Sequence, residues 1–251
     1  ENFEDGLSGW TASQELFELG GDPYGGFGAP WEATSSAPGN HSGGVAYGPA
    51  PDDGQCTGDG QTDFSSRDAI ASPVVEIPAG QIRTPRLSFD HYVATEGGFD
   101  GGNVKVSVNG GDFATIPAEA YVYNAPGALL SPGQGNSNPL AGQDGFTGTD
   151  GGETSGSWGT SQVDLAALDV NAGDTVQLRF DIGRDGCGGN DGWYVDNVMV
   201  SLCKAAATVS ARHLPDPSTY GKASRVKVSV ERGPGTGGSS PTGVVVLRGP
   251  S

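Results

Sequence analysis

The chain has 251 residues, 44 of them Gly and 17 Pro, and a formal net charge of −17. Glycine at more than twice its usual share of about 7%, with no Gly-X-Y period, excludes collagen and a mainly helical fold, while Trp, Tyr and β-branched runs between the Gly clusters exclude a bare linker. The acidic balance excludes a phosphate-binding face, so no nucleic-acid partner is expected, and no apolar run reaches the ~18–20 residues that span a membrane.

The elements read as short strands between long loops. In chain order they fall at 1–5, 14–19, 44–48, 73–77, 86–94, 103–109, 162–165, 175–183 and 193–202. Val104, Val106 and Val108 alternate with Asn103, Lys105 and Ser107, the period of a half-buried antiparallel strand. Asn109-Gly110-Gly111-Asp112 reads as a tight hairpin turn. Residues 121–160 carry little apolar periodicity and exceed a normal connection, which marks a functional loop. Thr175–Phe180 and Trp193–Val200 flank a Gly/Asp-rich loop and are expected to pair as a second hairpin. The fold class is all-β: a jelly-roll β-sandwich over 1–203.

The charge changes sign near Cys203. Residues 1–203 hold 28 acidic and 6 basic residues, whereas 204–251 hold 2 acidic and 7 basic. Lys204-Ala205-Ala206-Ala207 reads as the seam. Residues 204–251 offer strands near 206–211, 224–231 and 243–248, the front part of a second, small Ig-like β-domain. With no leader before Glu1 and a strand-like opening, the chain reads as a mature or excised fragment.

The familiar catalytic motifs are missing. His41, His91 and His213 form no His-Glu-x-x-His run, and no Gly-x-Ser-x-Gly elbow, phosphate loop, dinucleotide fingerprint or Cys-x-x-Cys occurs. Hydrolysis by paired loop carboxylates stays open as an alternative, although acids in Gly-rich loops are expected to be solvated or metal-bound.

Calcium chemistry is the positive signal. Asp52-Asp53-Gly54, Asp59-Gly60, Asp100-Gly101, Asp150-Gly151, Asp185-Gly186 and Asp191-Gly192 combine hard carboxylates with exposed turn carbonyls. Calcium takes six to eight such oxygens, although solvated turns present the same pattern. Asp196 sits mid-strand in Tyr194-Val195-Asp196-Asn197-Val198, on the face expected for Tyr194, Val198 and Val200. Asp90 is a similar strand acid, and pairing of first and last strands brings Glu4 towards Asp196. A bare buried carboxylate costs several kcal/mol, so each needs a metal, or else loop amides or Arg83, Arg86 or Arg179. The candidate calcium ligands are Glu4, its neighbour Asp5, Asp90, Asp100 and Asp196.

Sugar stacking would need exposed aromatics, and Trp10, Trp31, Trp158 and Trp193 are the candidates, with Tyr24, Tyr121 and Tyr123. Trp10 and Trp193 sit in strand contexts and read as core. Trp31, in Gly28-Ala29-Pro30-Trp31, is the ligand-binding candidate, with loop packing as its other reading. Of three cysteines, Cys56 and Cys187 both lie in Gly/Asp-rich loops and form the favoured pair, which implies a secreted, oxidising context. Cys203 lies a strand length from Cys187.

Phe3-Glu4-Asp5-Gly6, Gly9-Trp10, Ser72-Pro73, Leu87-Ser88-Phe89-Asp90-His91-Tyr92, Asp100-Gly101-Gly102-Asn103-Val104 and Gly192-Trp193-Tyr194-Val195-Asp196-Asn197-Val198 occur in one order. That series resembles MAM-like jelly-roll accessory domains of secreted bacterial metallopeptidases of the fungalysin and immune-inhibitor-A kinds, over residues 1–203. Ser218-Thr219-Tyr220-Gly221 and Pro241-Thr242-Gly243-Val244-Val245 resemble bacterial Ig-like repeats, in part. The resemblance implies a non-catalytic, calcium-stabilised accessory module of a secreted multidomain protein. It would lie C-terminal to an upstream zinc metallopeptidase domain and dock a glycan or an extracellular protein. A purely structural spacer or stalk is the alternative.

Overall fold

The computed structural model describes residues 1–16, 28–52, 65–79, 83–133, 135–150, 155–204, 207–214 and 225–232. The strands are β1 (Thr11–Leu16), β2 (Glu32–Thr34), β3 (Val45–Pro49), β4 (Ser66–Ala71), β5 (Val75–Glu76), β6 (Arg83–Ala94), β7 (Gly101–Val108) and β8 (Ala114–Thr115). They continue as β9 (Tyr121–Tyr123), β10 (Ala128–Leu129), β11 (Asp144–Gly145), β12 (Trp158–Asp164), β13 (Thr175–Arg184), β14 (Gly192–Lys204), β15 (Ala207–Leu214) and β16 (Arg225–Arg232).

Two antiparallel sheets face each other. One runs β1-β4-β13-β7-β8, with β5 also on β13; the other runs β2-β3-β14-β6-β12-β9. Period-2 alternation sets the inward faces. Val176, Leu178, Phe180 and Ile182 of β13 and Val104 and Val106 of β7 are buried against Leu87, Phe89, Val163, Trp193 and Val195 of the other sheet. Phe180 meets Phe89 edge-on with centroids 5.3 Å apart, and Trp193 at 5.7 Å. Gly102 has no Cβ because the Trp193 ring would stand about 2.3 Å from it.

The turn after β7 is as expected: Asn109 and Gly110 both hold positive φ, 53° and 73°, the pair that a type I′ hairpin turn demands. The expected hairpin of 175–180 with 193–200 does not form. β13 pairs β4 and β7, whereas β14 pairs β3 and β6 in the opposite sheet. The connecting loop 185–191 crosses between sheets, drawn over by the Asp185 amide donating to Asp100 Oδ1 at 2.9 Å.

Residues 1–5 are not a strand; a turn occupies 4–9, and β1 starts at Thr11. Strands β2, β4, β8, β9, β10 and β11 are additions to the expected set, the last three within the segment 121–160. Strands β15 and β16 form a separate hairpin, close to the expected 206–211 and 224–231, while 243–248 lies outside the described residues.

The alternation expected along β14 also breaks. A bulge between Asp196 and Met199, with Asn197 at φ 51°, inserts an extra residue. Trp193 and Val195 point inward before it and Val198 after it, so Asp196 and Val198 face opposite ways.

Candidate functional site

One end of the sandwich gathers the turn 95–100, the crossing loop 185–191 and the start of 146–150. The acids of this end come together. Glu96, Asp100 and Asp185 each place a carboxylate oxygen within 4.8 Å of the others, with Asp100 and Asp185 buried. Asp100 is pushed up to about 8, first by burial and further by the Asp185 and Glu96 charges; the Asp185 amide and the more distant Arg184 charge oppose this. Glu96 is raised by burial and by Asp185 and Asp52. Arg184 is committed elsewhere: its guanidinium donates to Asp68 Oδ2 (2.5 Å), Ser66 Oγ (2.8 Å), Pro49 O and Ala29 O.

The backbone builds this cluster. Gly188 holds φ 77°, a backbone conformation that favours Gly, and its bare Cα lets Glu96 Oε2 approach within 2.6 Å of where a Cβ would stand. The Cys187 amide donates to Asp185 Oδ1 (3.1 Å), and Cys187 is disulfide-bonded. Cys56 lies outside the described residues. Three hard carboxylates around one point fit a divalent oxygen-seeking cation such as calcium.

The cluster is tied to a cavity. Thr147 Oγ1 donates to Asp100 O (2.5 Å) and accepts from the Gly98 amide (2.8 Å), and Thr95 Oγ1 accepts from the Gly148 amide (3.0 Å). Thr147 and Gly148 then wall a cavity of about 320 Å³ at the β6–β12 edge, completed by His91, Asn124, Asp150 and Trp158 among others. A second hollow of about 210 Å³, lined by His41, Asp90 and Thr160, shares Trp158 and Gly159 with it.

Trp158 stands on the outer face of its sheet. Its indole stacks on His41 at 3.9 Å, donates to Pro38 O (2.8 Å) and leans on Tyr92, which meets Tyr194. His91 lies inward at the cavity. Burial lowers it to about 4, so its ring is neutral at pH 7. Trp193 Nε1 donates to His91 Nδ1 (3.2 Å), which leaves Nε2–H facing Ser161 Oγ (2.9 Å), which donates onward to Asn124 O (2.7 Å).

Of the five expected calcium ligands, Asp100 alone lies in this cluster. Asp196 accepts from His41 Nε2 (2.8 Å) and the Asn197 amide (2.6 Å); Asp90 accepts from Thr160 Oγ1 (2.5 Å) and Asn197 Nδ2 (2.9 Å). Both acids are thus held by hydrogen bonds from His41, Thr160 and Asn197, and by none of Arg83, Arg86 or Arg179 in these contacts. Glu4 and Asp5 lie exposed in the first turn. The N-terminus does pair with β14, through Glu1 and Val198, while Glu4 turns against Gly43. The cluster also holds Glu96 and Asp185, which the expected ligand set does not include. Asp185-Gly186 belongs to the Asp-Gly set, and Glu96-Gly97-Gly98 carries the same signal with the longer acid.

Trp31 is corrected: it is core, 5% exposed, with its ring 5.8 Å from Trp193 and its Nε1 donating to Asp68 O. Trp10 also packs on the core, against Phe3 and Phe180. The aromatic that the fold presents at a cavity is Trp158, from the end of the long 121–160 segment.

Fold and site define a β-sandwich with an acid cluster and a polar cavity at its loop end. No protein-family model matches the chain, and no curated protein matches it. Solved structures do. The K1 cleaved adhesin domain of Lys-gingipain from Porphyromonas gingivalis W83 is similar at 16% identity, over 80% of this chain and 95% of that one, with a TM-score of 0.37. The K3 cleaved adhesin domain of the same protein is similar at 15% identity, over 80% and 96%, with a TM-score of 0.39. A structure described as explaining the promiscuous specificity of carbohydrate-binding modules of the β-sandwich superfamily is similar at 11% identity, over 80% of this chain and 60% of that one, with a TM-score of 0.38. The all-β sandwich itself rests on the strand register above. Among the described residues no helix is long and apolar enough to cross a membrane.

Proposed function

We propose that residues 1–203 form a non-catalytic, calcium-stabilised binding module of a secreted multidomain protein, acting as an accessory to a catalytic domain such as an upstream metallopeptidase. The observation that carries this is the Glu96–Asp100–Asp185 cluster, hydrogen-bonded through Thr147 to a cavity wall. Glu96, Asp100 and Asp185 would hold the ion, and the ion would supply the positive charge that lets Asp100 stay ionised while buried. Thr95 and Thr147 carry that order to the cavity by positioning 146–148. Asp100 and Asp185 are almost fully buried and neither lines the cavity, which favours an ion-holding role over the hydrolysis read as an alternative. The Cys187 disulfide suits an oxidising compartment. Residues 204–251, as an Ig-like unit, would serve as a connector.

Calorimetry of the chain with EDTA and with excess calcium tests the reading. A ligand present at about 100 times its Kd adds about 2.7 kcal/mol, so calcium should raise the melting temperature by several degrees. A melting temperature indifferent to EDTA removes the calcium part.

A further inference from the structure

We infer that the cavity beside Trp158 is a ligand site for a neutral, hydroxyl-rich ring, a pyranose unit of a glycan. This rests on the binding-module reading above and names the ligand of that module.

The cavity's size suits a small ligand: 320 Å³ lies at the low end of the ~300–1,000 Å³ range of ligand pockets. Its lining mixes apolar surface from Val93, Phe146 and Trp158 with the polar groups of Asn124, Thr149, Asp150 and Ser157. A purely apolar guest would cover the Thr149 and Ser157 hydroxyls and the Asp150 carboxylate and offer them no hydrogen bond in return. A sugar hydroxyl both donates and accepts, and so matches an amide, two hydroxyls and a carboxylate together. The Val93 and Phe146 surfaces suit the C–H face of the same ring.

Charge narrows the class further. Among the described residues the cavity lining contains no Lys or Arg, His91 is neutral, and Asp150 brings a negative charge. Phosphate, sulfate and uronate would meet Asp150 with no cation to offset them. The adjoining hollow shares Trp158 and Gly159 and gives a neighbouring sugar unit room beside the first.

Gly159 keeps the space open. It sits in β12 opposite His91, and a Cβ there would meet the Asn124 amide alone, at 3.4 Å. A larger side chain at this position therefore grows into the cavity without striking the core, and a β-branched one suits a strand.

The test uses the whole chain, calcium-loaded, with the methyl pyranosides of glucose, galactose and mannose, their neutral oligosaccharides, and glucuronate and galacturonate as charged controls. Calorimetric titration or saturation-transfer NMR should show at least one neutral pyranoside binding, with the uronates weaker by about tenfold or more. Gly159→Val should reduce that binding by about tenfold or more, with the melting temperature unchanged. Should that variant fail to fold, Asp150→Ala at an exposed position serves instead, with affinity expected to fall by about fivefold. No binding by any neutral pyranoside, equal binding of uronates, or wild-type affinity in the folded Gly159→Val or Asp150→Ala variant overturns the inference. A pyranoside that binds a chain whose melting is indifferent to calcium supports the sugar site and removes the calcium reading. Calcium-raised melting with no pyranoside bound overturns the sugar site alone.

Discussion

Asp181, on β13, and Asp100, in the turn that leads into β7, are both almost fully buried carboxylates, and their surroundings are opposite. Three cations converge on Asp181: Arg179 Nε at 2.6 Å, Lys105 Nζ at 3.1 Å and Arg67 Nε at 3.9 Å. Arg67 also pairs Glu15, and Phe113 lies over the Arg179 guanidinium at 4.5 Å. Half of the six basic residues of 1–203 therefore serve one acid on the outer face of the sheet. Asp100 has Glu96 and Asp185 beside it instead. The lesson is one of allocation. A very acidic chain places half of the few cations of its first 203 residues around one acid where a sheet face must close, while three acids gather at the loop end.

Breaking the compensated side should have the largest effect. Asp181→Ala leaves three cations packed together without their shared partner, so a loss of about 3–5 kcal/mol is expected in denaturant unfolding. A loss below 1 kcal/mol would mean that water, not Asp181, balances them. The loop-end acids should respond to pH. Asp100 in the folded chain titrates near 8, against an ordinary 3.8 when unfolded. Between those values the folded state holds the extra proton, so stability in EDTA should fall as pH rises from about 4 to about 8, by at most about 1.4 kcal/mol per pH unit. Asp100→Asn should flatten that slope, and so should calcium; a flat wild-type profile in EDTA would count against the burial argument. The smallest effect belongs to the rim: Phe113→Ala should cost about 0.5–1 kcal/mol through the lost contact with Arg179. Thermal melts of that variant in low and high salt would separate the ring's charge contact from plain packing.

Much of the local structure was legible. The valines of β7 and the apolar alternation of β13 locate strands because residues two apart in a strand share a face whatever the partner is. The partners were less legible. β13 and β14 are adjacent in sequence with a turn-rich loop between them, the pattern of a hairpin, yet they lie in different sheets. Loop 185–191 is long enough for either path, and the contact that selects one, Asp185 to Asp100, joins residues 85 apart. Which of the expected ligands lie together was hidden for the same reason. Asp196 looked exceptional as a charged residue in an apolar run, but a bulge gives it His41 and Asn197 as donors. Bulges depend on how a partner strand registers, which a single strand does not encode. Trp31 looked exposed because its neighbours are Gly and Pro, whereas Asp68 and Trp193 receive it in the core.

Composition and periodicity alone therefore determine that this is an all-β chain with acidic Gly-rich loops and a change of charge near Cys203, since these follow from backbone sterics and local alternation. Tertiary structure alone decides which acids meet. Three of 28 acidic residues in the first 203 converge at one end, and the long segment before β12 delivers Trp158 rather than Trp31 to a cavity. Convergence depends on how strands from distant parts of the chain pair and cross, and that pairing is set by the packing of the whole core rather than by any one stretch of residues.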